Sequence, residues 1–139
     1  MNPTSDFRWR VLTVVHTFNA LTGLVGGAAL AVWPDGRMMQ APLAMLQGTP
    51  FRDYLIPGLL LFASVGVTNM VAAFVAKNRE PGGEVFSFIA GVVTFGWIAG
   101  ELMVLRVFSP LQVLYALTGL VIMLDAGWIR IRARRLVHA

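Results

Sequence analysis

A chain of 139 residues that is 57% hydrophobic and 13% charged, with a mean hydropathy of +0.71, has too little polar surface to coat a soluble globule and too few charges to stay disordered. The formal charge of +4 is carried by ten arginines and one lysine against seven carboxylates, a bias toward arginine that fits a GC-rich bacterial genome. The absence of cysteine excludes disulfides, thiolate nucleophiles, iron–sulfur ligation and thiolate zinc sites, and two histidines cannot build a multi-histidine metal centre. No metal and no cofactor is therefore expected.

Four apolar stretches, 11–33, 54–76, 85–108 and 111–129, each reach the roughly 20 residues needed to cross about 30 Å of hydrocarbon. The expectation is an all-α membrane protein in which residues 1–139 form a single four-transmembrane-helix domain. Span one follows Arg8 and Arg10 and carries His16, Asn19 and the pair Gly23-x-x-x-Gly27. Ala29-Leu30-Ala31 imitates a leader cleavage site, but the apolar run is longer than a signal core, so it is read as a retained span. Pro34-Asp35-Gly36 ends it.

The one long connection follows, from Pro34 to Asp53. Within it Pro42 and Gly48 bracket an apolar run that predicts a short interfacial helix, a lid or a substrate gate over the bundle. Met38, Met39 and Met45 lie here too, at a spacing too loose for a soft-metal site. Span two carries Asn69 and runs to Lys77, Arg79 and Pro81-Gly82-Gly83. Span three carries Gly96-x-x-x-Gly100 and Glu101. Ser109-Pro110 predicts a helix cap with proline in the first turn, so spans three and four form a tight hairpin. Span four carries Tyr115, Thr118, Gly119 and Asp125, then runs into Arg130, Arg132, Arg134 and Arg135. Trp9, Trp33, Tyr54 and Trp128 fall near span ends and read as interfacial anchors.

The basic groups before span one, between spans two and three, and after span four must share one side if the helices alternate. By the positive-inside rule that side is the cytoplasm, which places both termini there in a bacterial plasma membrane. The arginine tail then faces anionic lipid headgroups, each basic side chain contributing about 1 kcal/mol. Six tail residues beside a span give no ground for nucleic-acid binding.

An ionisable group within a span is costly and by default marks function, which singles out Glu101. Small residues at matching depth leave room for a cavity, with Tyr115 and Thr118 as hydroxyl donors and Arg106, Arg52 and Asp53 near its mouth. A purely structural Glu101, tied to Arg106 or bonded between helices, is the competing role. A second polar group, His16, Asn19, Asn69 and Asp125, lies in the inner third. It predicts either a His16–Asp125 proton-accepting pair or plain interhelical hydrogen bonds, with Asp125 reaching toward Arg130.

The run Pro34-Asp35-Gly36, Pro42-Leu43 and Thr49-Pro50-Phe51-x-Asp53-Tyr54-Leu55-Ile56-Pro57-Gly58 resembles an uncharacterised family of small bacterial four-span membrane proteins. The resemblance implies a fold and a compartment and carries no activity or site residue with it. The leading expectation is a non-enzymatic component that binds a lipid or apolar molecule, or serves as accessory subunit of a membrane complex. A small transporter or channel subunit, built by homo-oligomerisation around Glu101 and the inner polar group, comes second. An intramembrane enzyme comes last, since no nucleophile–base motif or cofactor fingerprint is present.

Overall fold

The computed structural model describes residues 2–139. Four helices are long and apolar enough to cross a membrane: α1 (Pro3–Val32), α2 (Leu55–Asn78), α3 (Gly83–Leu105) and α4 (Pro110–Val137). They form the expected all-helical bundle. Each helix packs on its neighbours in the cyclic order α1, α2, α3, α4, which puts both termini at one end and the long loop at the other.

The helices overrun the apolar stretches at the termini end, and the first three stop short of them at the loop end. Helix α1 begins well before residue 11, because the Asn2 side chain accepts from the Thr4 amide at 3.1 Å and Pro3 follows at the first helical position. Helix α4 carries the arginine tail as continuous helix to Val137. Helix α3 ends at Leu105, not at 108, where Arg106 turns left-handed (φ 53°) and its amide returns to the Leu102 carbonyl. The predicted interfacial helix between Pro42 and Gly48 shrinks to a 3₁₀ turn, Leu43–Leu46, and a second such turn covers Arg37–Met39. The loop is instead shaped by Tyr54. That residue is buried, not an interfacial anchor: its hydroxyl donates to the Pro42 carbonyl at 3.0 Å and its amide to the Pro34 carbonyl at 2.9 Å.

Helices α1 and α2 cross in backbone contact. A Cβ placed on Gly23 would meet the Gly66 nitrogen at 2.8 Å, and one on Gly27 the Phe62 nitrogen at 2.5 Å. This small-residue pair therefore serves packing inside the bundle. Gly96 and Gly100 do not, since nothing lies within 4 Å of a Cβ added to either. Facing Gly23 and Gly27, α2 passes through a π-helical stretch, Phe62–Val67. Polar side chains take carbonyls there: Thr68 donates to Ala63 at 3.3 Å and Asn69 to Val65 at 2.8 Å.

Along its axis the interior has three levels. At the termini end Trp9, Leu12, Ala76, Ile122, Ala126 and Ile129 form an apolar cluster. Next come His16, Asn19, Asn69 and Thr94, all buried. The loop end is hollow. The outer surface is apolar, with Val14, Leu21, Val25, Phe74 and Leu124 all exposed, as a lipid-facing surface requires.

Candidate functional site

Two adjoining hollows occupy the loop end, and Glu101 lines both. The first, about 280 Å³, lies within the bundle and is reached by Thr22, Thr94, Glu101, Gln112 and Tyr115, with Met39, Met45 and Tyr54 from the loop above. The second, about 310 Å³, lies between α2 and α3 and is almost wholly apolar, with Phe51, Pro57, Leu60, Gly96, Gly100 and Val104 in its wall. It opens sideways onto the apolar outer surface, where Leu60 and Gly96 are exposed. The open faces of Gly96 and Gly100 make this window.

Glu101 thus faces the hollow interior under the Pro34–Asp53 loop. Its partner differs from the expected ones. The Ser109 cap forms as a capping box, in which the Ser109 amide donates to Gln112 Oε1 at 2.9 Å and Ser109 Oγ accepts from the Leu111 amide at 3.2 Å. With its oxygen so fixed, Gln112 turns its Nε2 toward Glu101 Oε1, 3.4 Å away. The Trp97 indole lines both hollows beside this carboxyl. Gln112 was legible as the fourth residue of a Ser-x-x-Gln box, whereas Trp97, Tyr54 and Thr94 carry no such signal.

Of the other residues expected at this site, Tyr115 lines the cavity, its ring stacked on Phe18 at 6.1 Å between centroids. Thr118 does not line it and donates to the Tyr115 carbonyl at 2.8 Å. Arg106 is drawn into the exposed turn after α3 and does not reach Glu101. Arg52 is exposed, and Asp53 caps α2 by accepting from the Leu55 amide at 2.9 Å. Neither borders the hollows.

The inner polar group is also corrected. His16 Nδ1 lies 2.7 Å from Asn69 Oδ1. The Asn69 amide nitrogen donates to Thr94 Oγ1 at 3.0 Å as well as to Val65, so Asn69 offers its oxygen and His16 Nδ1 supplies the proton. Asn19 is buried beside this relay and its amide has no partner. Asp125 does not join His16. It accepts from Arg8 Nη1, and the fully buried Leu12 and Ile122, one turn along α1 and α4, stand between that ion pair and the histidine. Nor does Asp125 reach Arg130, which binds Glu84 at 2.9 Å. Arg132 lies over the Trp128 ring at 5.2 Å, with Arg8 over the same ring at 4.4 Å. Arg134 and Arg135 are exposed at the helix end.

Among the described residues, no three His, Asp or Glu side chains gather as a metal site would need. The site is chemically a one-anion cavity with an apolar side window. Compared with protein-family models, with curated proteins and with solved structures, the chain matches none.

Proposed function

We propose that this chain is a non-enzymatic, ligand-holding protein of a bacterial cytoplasmic membrane, and that it takes an amphipathic, lipid-like molecule at the loop end. The observation behind this reading is that Glu101 belongs to both hollows, one with polar groups in its wall and one apolar and open to the side. A ligand with a polar head at Glu101 and Gln112 and a chain between α2 and α3 fits both, and enters without crossing water. A conducting role within one chain has less support, because the cavity ends at Thr94 above the layer of Leu12 and Ile122. Lipid extraction and mass spectrometry of the purified protein test the reading. Gly100→Trp fills open space and should leave the fold intact while the co-purified ligand is lost. Equal retention by both proteins would rule the cavity out as the binding site.

Placement in the membrane rests on charge. Eight basic and four acidic residues lie at the termini end, against three of each at the loop end, so the whole net charge sits with the termini. The positive-inside rule makes that end cytoplasmic, with Arg134 and Arg135 among anionic headgroups. The cysteine-free chain allows clean labelling: Gln47→Cys should react with an impermeant reagent from outside and His138→Cys only after permeabilisation. The opposite pattern would invert the topology and with it the headgroup contact.

A further inference from the structure

We propose that the head of the ligand is a cation with hydrogen-bond donors, an ammonium group on an apolar chain. This deepens the cavity reading above and rests on it.

The case is a census of charge and protons in the wall. Glu101 is the one charged side chain among the residues lining either hollow, and no lysine or arginine joins it. Arg106, the nearest cation in sequence, is held in the exposed turn after α3. Five hydroxyl residues line the inner hollow, and three have their protons committed to backbone carbonyls: Thr22 to Phe18 at 2.8 Å, Thr94 to Ala90 at 2.9 Å and Tyr54 to Pro42 at 3.0 Å. Each of these offers a ligand lone pairs only. Ser109 and Tyr115 can turn either way. Gln112 donates to Glu101, but at 3.4 Å, and the Trp97 indole N–H is the one other donor beside it, so a carboxylate with about four acceptor sites is left short of donors.

A carboxyl group in a low-dielectric hollow either pairs with a counter-charge or keeps its proton. An anionic head would meet Glu101 as a like charge, and a neutral head would leave it to keep its proton, whereas a cationic head lets it ionise. An ammonium brings the missing charge and enough donors for Glu101 and one of the committed hydroxyls together. The chain attached to it would run out through the Gly96 and Gly100 window.

The probe is a series of alkyl chains brominated at the far end and differing in head: primary ammonium, trimethylammonium, hydroxyl and carboxylate. Each is added to the full-length protein in phosphatidylcholine nanodiscs. Quenching of Trp97, isolated by difference from Trp97→Phe, reports occupancy of the window. The expected order is ammonium, then trimethylammonium, which keeps the charge without the donors, then hydroxyl, then carboxylate. Ammonium should exceed hydroxyl by about tenfold to a hundredfold, the range of a charge-assisted hydrogen bond. Glu101→Gln should abolish that difference, because ammonium binding falls far more than alkyl alcohol binding does. Gln112→Glu should widen it, which keeps a test in hand if Glu101→Gln does not fold. Equal quenching by all heads, or preference for carboxylate, would overturn the cationic head and leave the cavity standing. Absence of Trp97 quenching by every chain would overturn the cavity itself.

Discussion

Gly27→Ala should lower the stability of the bundle by about 3 kcal/mol or more, the upper range for overpacking a filled interior. The added methyl would lie 2.5 Å from the Phe62 nitrogen and 2.7 Å from both the Gly58 oxygen and the Phe62 Cα. All three are backbone atoms, so no rotamer change relieves the contact, and α1 must move away from α2. That separation would begin where Leu30 and Leu61 border both hollows, so ligand retention should fall along with stability. Gly96→Ala and Gly100→Ala provide the contrast, since both face open space and should stay within about 0.5 kcal/mol of the parent. Denaturation in mixed micelles measures all three. A Gly27→Ala protein as stable as the Gly96→Ala protein would mean the helices do not cross in backbone contact.

The second large effect is expected at Asn69. Its side chain holds His16, Thr94 and the Val65 carbonyl together in a fully buried layer. Interhelical hydrogen bonds in membranes contribute about 0.6 kcal/mol on average and up to about 1.7. Asn69→Leu removes three bonds and leaves the His16 Nδ1 proton with no acceptor, so a loss of about 2–4 kcal/mol is expected. His16→Leu alone should cost less. Combined with Asn69→Leu it should recover part of the loss, because the orphaned donor goes with the ring. Strict additivity of the two losses would show that the imidazole and the amide do not depend on each other.

How these residues could be foreseen varies with the physics that places them. Hydropathy over some 20 residues located the four helices, because the bilayer demands that length whatever the side chains do. The interior position of Glu101 followed from the cost of exposing a carboxylate to lipid, a term large enough to override local detail. The partners of Glu101 did not follow. Arg106 lay closer in sequence than Gln112, but a left-handed residue ends α3 and swings the guanidinium away, while a capping box aims Gln112 inward. Depth counting put His16 and Asp125 in one group. It gives level along a helix to within a turn and nothing about rotation, and one turn is the thickness of the Leu12 and Ile122 layer that parts them. The two glycine pairs have the same spacing and opposite surroundings, which only the crossing of α1 and α2 decides.

The Arg8–Asp125 pair has a consequence for how the chain is made. Its partners are separated by 117 positions, and the same guanidinium rests on Trp128. During synthesis the first helix enters the membrane with Arg8 near its start, long before the carboxylate that will neutralise it has been translated. Asp125 in turn arrives on the last helix and finds its counter-charge already waiting. The contact between the first and last helices can therefore close only once Asp125 has been made, and a chain interrupted before residue 125 leaves the bundle unlatched at the end where both termini lie.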